Sequence, residues 1–117
     1  MEGVGFAERM IYDHMLRIGC AVGDEICTAG GACRSDLWLR IRASILNRRL
    51  MVPDVVDAAM GGALLAASTY FGSLRAASDQ LIRYHKIAEP DPSLIARYDD
   101  LYHQFLCDMR LIYGAEV

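Results

Sequence analysis

The sequence lacks the features that would send a chain across or into a membrane. Its N-terminus, MEGVGFAERM, carries early acids and no apolar core of signal-peptide length. The longest apolar or small-residue run, Ala58 to Ala67, is about half of the ~20 residues a spanning helix needs. There is no basic excess either, since the formal net charge is −3. That balance argues against a nucleic-acid partner, and the strongest basic run, Arg40, Arg42, Arg48 and Arg49, reads as a solvated helix face. The cysteines Cys20, Cys27, Cys33 and Cys107 form no CxxC pair. Without an export signal, buried thiols are the expectation rather than disulfides. Cys27 and Cys33 with His14, His85 or His103 match no zinc spacing, so no metal ligand is assigned. These absences read as a soluble, cytoplasmic protein.

What is present fits one modest domain of 117 residues. Hydrophobic residues make up 54%, which in so small a chain implies surface that expects a neighbour. Gly3 to Ile18 reads as a helix stopped by Gly19, and Ala21 to Asp24 as a turn. Glu25 to Ala29 reads as a short strand before Gly30-Gly31. Ser35 is a natural N-cap for a helix over Leu37 to Leu46. Arg49 to Val52 is a second strand, ended by Pro53. Asp54 or Asp57 opens a helix to about Tyr70, whose glycines, Gly61 and Gly62, imply close packing on another backbone. Ser73 caps a helix from Leu74 to about His85. Glu89-Pro90-Asp91-Pro92 breaks the chain, and Ser93 caps a last helix carrying Tyr98, Tyr102 and Phe105. The alternation is that of an α/β domain, mostly helical with a small strand component. Two strands make a poor sheet, so part of the domain is expected to lie outside this sequence.

The Gly30-Gly31 pair admits two readings. It is either a sharp strand-to-helix connection or a turn that lets a ligand approach the backbone closely. Trp38 reads as core packing, and Asp54 and Asp57 as helix-start residues rather than an acid pair. His14, His85 and His103 read as surface or interface residues rather than acid–base catalysts, and no catalytic residue is assigned.

The stretch Thr28-Ala29-Gly30-Gly31-Ala32-Cys33-Arg34-Ser35-Asp36-Leu37-Trp38 resembles the C-terminal domain of the FGGY carbohydrate kinases. The likeness extends to Glu2-Gly3-Val4 with Phe6-Ala7 and Arg9, to Ile41, Ala43 and Ile45, and to Val52-Pro53-Asp54. It continues through Asp57 to Ala66 and ends at Pro90-Asp91-Pro92 with Tyr98 and Tyr102. Departures stand at Arg40, Ser44, Arg49, Asp57 and Gly62, where Gln, Asp, Pro, Glu and Ala are common.

The resemblance implies a partial actin-like ATPase (ribonuclease H-like) domain over residues 1–117, and transfer of the ATP γ-phosphoryl group to a sugar or polyol hydroxyl. By resemblance Gly31 and Ser35 contact the nucleotide, and Gly30, Ala32 and Arg34 line its pocket. ATP and Mg²⁺ are the implied cofactors. The implied partners of the intact enzyme are a sugar substrate and an N-terminal kinase domain. That domain's base and phosphate hairpin have no counterpart here, so this chain alone is expected to show no turnover. A non-catalytic interaction module derived from such a domain is the competing reading. Strand Glu25 to Ala29 and the small-residue helix both look short of partners, so a homodimer of the fragment is expected.

Overall fold

The computed structural model describes residues 1–114. Helix α1, Glu2–Arg17, has an acid in its first turn and His14 and Arg17 in its last, which complements the helix dipole. Strand β1, Glu25–Cys27, leads through Thr28 into a single 3₁₀ turn, Gly31–Arg34. Helix α2, Asp36–Leu46, starts where the Ser35 hydroxyl accepts the Trp38 N–H at 3.2 Å. It stops at Asn47, in the left-handed region at φ 48°. Strand β2 is Arg49–Pro53, helix α3 Ala59–Phe71, helix α4 Leu74–Leu81, strand β3 Tyr84–Ala88 and helix α5 Pro92–Tyr113. Among the described residues no helix is long and apolar enough to cross a membrane.

The sheet order is β1-β2-β3. β1 and β2 run parallel, with Ile26 opposite Leu50 and α2 as the crossover. β2 and β3 run antiparallel, with Leu50 opposite Ala88 and a register shift at Val52/Pro53. The third strand corrects the two-strand expectation. Tyr84 and His85, read above as the end of a helix, belong to β3, because α4 stops at Leu81 and the chain then pairs with the second edge of β2. Two helix starts also differ. Asp91, not Ser93, caps α5: its carboxylate accepts the Ser93 N–H at 3.0 Å, with Pro92 filling the first helical position. Of the two acids before α3, Asp57 does the opening, accepting the Ala59 N–H at 2.9 Å. Asp54 instead donates its N–H to the Arg83 carbonyl at 2.8 Å.

Helix α2 separates two cores. One of its faces, Leu39, Ala43 and Leu46, packs with Cys33, Leu50, Val52 and Ala88 toward the sheet. On the other, Ile45 and Ile41 pack with Phe6, Tyr98 and Tyr102 from α1 and α5. Three polar contacts lock α1 onto α5. Tyr98 donates to Glu2 at 3.0 Å, Tyr102 donates to Asp13 at 2.7 Å, and Arg9 pairs with Asp99 at 2.7 Å while lying 4.4 Å over the Tyr102 ring. Burial, reinforced by Asp13, pushes the Tyr102 hydroxyl far above the ordinary tyrosine range.

Helices α3 and α4 stand apart from this core. No residue of α3 is buried, although the helix is almost wholly apolar. Open space lies beside Gly61 and Gly62, so the backbone packing expected of them is not made within the described residues.

Candidate functional site

The five residues singled out in the sequence fall in one exposed turn. It lies at the carboxyl end of β1, where ligands commonly sit in open α/β sheets. Gly30 adopts φ 91° and ψ −178°, a conformation essentially reserved for glycine. Its carbonyl accepts the Cys33 N–H at 3.1 Å, closing the turn. Gly31, Ala32 and Arg34 follow in the exposed 3₁₀ turn, with Cys33 turned inward. A Cβ built on Gly31 would meet no atom within 4 Å, which leaves the backbone open to a flat ligand. Ser35 spends its hydroxyl oxygen on the α2 cap, and the positive end of that helix faces the turn. Asp36 in the first turn of α2 is held by Lys86 of β3 at 2.5 Å; that hydrogen bond lowers the pKa of the carboxyl below its ordinary value.

Beneath the turn lies a buried polar network that the sequence reading missed. Arg42 was grouped above with a solvated basic face. It is instead buried, its side chain only 10% exposed. Its Nε and Nη2 donate to the Glu8 carboxylate at 2.8 and 2.7 Å, and its Nη1 donates to the Thr28 hydroxyl at 2.9 Å. The Glu8 hydrogen bond raises the Arg42 pKa, against the opposing effect of burial. Thr28 also accepts from the Cys33 thiol at 3.9 Å. One signal was available in the sequence: Arg42 lies at helical spacing with Leu39, Ala43 and Leu46, on the buried side of α2. The other three arginines of that run are paired as well: Arg40 with Asp91, Arg48 with Asp24, and Arg49 with Glu25 and Glu89.

Trp38 is buried, as core packing requires. The histidines are spread over the surface. His14 lies beside Arg17, His85 is 3.5 Å from Asp54, and His103 contacts its own helix backbone at Asp99. Two departures from the family pattern have local structural roles. Buried Ser44 donates to the Arg40 carbonyl at 2.8 Å and accepts the Asp91 N–H at 3.0 Å, tying α2 to the start of α5. Arg49 bridges β1 to the chain after β3 through its two glutamates.

A parallel βαβ unit with an open glycine turn before a capped helix, flanked by helices, defines an α/β domain, mostly helical with a small sheet. The model of the C-terminal domain of the FGGY family of carbohydrate kinases matches residues 1–70. The chain belongs to that family. It is 31% identical over 105 residues to a xylulose kinase of Bacillus subtilis (strain 168), covering 87% of this chain and 21% of that protein. The solved xylulose kinase of Rhodospirillum rubrum superposes with a TM-score of 0.80 at 26% identity, over 97% of this chain and 23% of its own. A gluconate kinase from Lactobacillus acidophilus shares the fold, with a TM-score of 0.80 at 21% identity over 98% of this chain and 23% of its own. The chain thus spans about a fifth of the length of the xylulose kinase it matches.

Proposed function

We propose that residues 1–117 form part of the C-terminal, nucleotide-binding half of an ATP-dependent carbohydrate kinase. In this reading Gly30, Gly31, Ala32, Arg34 and Ser35 face the nucleotide. The observation that carries it is the open backbone at Gly31, set between a strand end and a capped helix start in a chain of this family. A purine or ribose can lie against that glycine, while N–H groups of the turn and the positive end of α2 favour a phosphate. The residues present fit a nucleotide. They do not make a site for Mg²⁺ by themselves, since no group of three or more His, Cys, Asp or Glu able to hold a metal occurs among the described residues. An N-terminal kinase domain would supply the sugar contacts and the base that receives the hydroxyl proton. Ketose and sugar-acid kinases share the fold, so the acceptor is read no more finely than a sugar or polyol hydroxyl.

Mg-ATP titration followed by thermal melting tests the reading. Half a cleft implies weak binding; with Kd on the order of 1 mM, about 5 mM nucleotide adds roughly 1 kcal/mol of stability. Gly31→Val should remove that gain while leaving the apo melting temperature close to that of wild type, because a Cβ at this position meets no atom within 4 Å. A Gly31→Val chain that still responds to Mg-ATP would overturn the reading.

A further inference from the structure

We propose that Arg42, oriented by Glu8, is a positioning residue that sets the pose of the Gly30-Gly31 turn through Thr28, an inference that rests on reading this turn as the nucleotide site. The turn is held by few bonds of its own. Between Thr28 and Cys33 the chain is exposed, and the turn is closed by backbone bonds from the Cys33 N–H to the Gly30 carbonyl at 3.1 Å and from the Ser35 N–H to the Ala32 carbonyl at 3.4 Å. Its two flanks are fixed from below instead. Thr28 donates its N–H to the Met51 carbonyl at 2.9 Å, which anchors that flank to β2. The Thr28 hydroxyl accepts from both Arg42 and Cys33, so the same oxygen ties the residue before the turn to one within it.

Arg42 reaches this oxygen with one guanidinium nitrogen while the other two grip both oxygens of Glu8. Helix α1, helix α2 and the end of β1 are thereby joined at one planar group. Stability alone gives little reason for this arrangement. A buried ion pair is often no more stabilising than apolar side chains of similar volume, and Arg42 stands in the same buried stretch of α2 as Leu39, Ala43 and Leu46. What a guanidinium adds is direction: a rigid fork fixes the angle at which each partner is held. The residue so held is Thr28, two positions before Gly30.

The test uses the ¹⁵N-labelled chain, amide hydrogen exchange at Cys33 and at Tyr102 in α5 as a remote reference, and the Mg-ATP-dependent shift of the Gly31 amide. Thr28→Val removes the hydroxyl and keeps the shape. It should speed exchange at Cys33 by about tenfold and weaken Mg-ATP by a similar factor, with Tyr102 exchange within about twofold of wild type. Thr28→Ser retains the acceptor and should restore both readouts. Glu8→Gln leaves Arg42 in place with a weaker grip and should shift both in the same direction by less. If Thr28→Val leaves Cys33 exchange unchanged, or speeds Cys33 and Tyr102 alike, the positioning claim fails whether or not nucleotide binds. If the wild-type Gly31 amide shows no Mg-ATP-dependent shift, it is the nucleotide reading of the turn that fails.

Discussion

Replacing Gly30 by alanine should destabilise the chain, and replacing its neighbour Gly31 should not. The two glycines are adjacent and both exposed, so burial cannot separate them. Backbone conformation does. Gly30 holds φ 91° and ψ −178°, where a Cβ clashes with its own peptide units, at a cost of about 1–3 kcal/mol. Gly31 is not among the residues with positive φ, and a Cβ there meets nothing within 4 Å. At a compatible position Gly→Ala stabilises by roughly 0.4–1 kcal/mol, through the smaller entropy of the unfolded chain. Gly30→Ala should therefore melt lower by about 4 °C for each kcal/mol lost, while Gly31→Ala melts at or slightly above wild type. Paired thermal and urea unfolding curves decide it. A chirality control isolates the cause: D-alanine at position 30, introduced by peptide ligation, prefers positive φ and should recover most of the loss. The reasoning is refuted if Gly30→Ala is as stable as wild type, or if D- and L-alanine at position 30 are equally destabilising.

Gly5→Ala should also destabilise, because its Cβ would stand 2.7 Å from Cδ1 of fully buried Ile45. Overpacking of about 1–3 kcal/mol outweighs the ~1 kcal/mol helix gain, and adding Ile45→Val, which deletes that methyl, should recover stability in a double-mutant cycle. Hydrogen bonds from Ser93, side chain first and then backbone, hold the Asp91 carboxyl below its ordinary pKa. The folded state thus favours the ionised cap, so its contribution is present above the unfolded pKa of about 4 and fades as pH falls through the lower folded value. Acid titration of Asp91→Asn beside wild type should show a shallower loss of stability in the variant. Finally, α3 with Leu65 63% and Tyr70 86% exposed, together with the outer edge of β1, unpaired among the described residues, should make the isolated chain self-associate. A stable monomer by light scattering across a dilution series would contradict this.

How far the sequence reading carried depended on whether a feature was written in local chemistry. The start of α2 was: Ser35 before an apolar periodic run predicts the cap that forms, and the helix closes at Leu46 as read, on an Asn47 in the left-handed region that the structure adds. The glycine turn was legible for the same reason, since a strand run followed by Gly-Gly demands an abrupt change of direction. Strand β3 was not. Tyr84-His85-Lys86-Ile87-Ala88 has no clean apolar alternation and directly follows an amphipathic helix, so its local pattern favours continuing that helix. What decides its conformation is non-local: the second edge of β2 needs a partner, and only Ala88 of the strand becomes buried there. The Arg42 network was hidden in another way. Charge count placed Arg42 with three neighbouring arginines, whereas helical phase placed it with Leu39, Ala43 and Leu46. The phase was the better guide, because a helix fixes direction residue by residue while a tally of charges carries none. A charged residue in register with an apolar stripe must find its counter-charge from another element, and here Glu8 of α1 supplies it. Read by phase, the sequence points to an arginine beneath the turn. The identity of its two partners comes only from the fold, which brings residues 34 and 14 positions away to the same guanidinium.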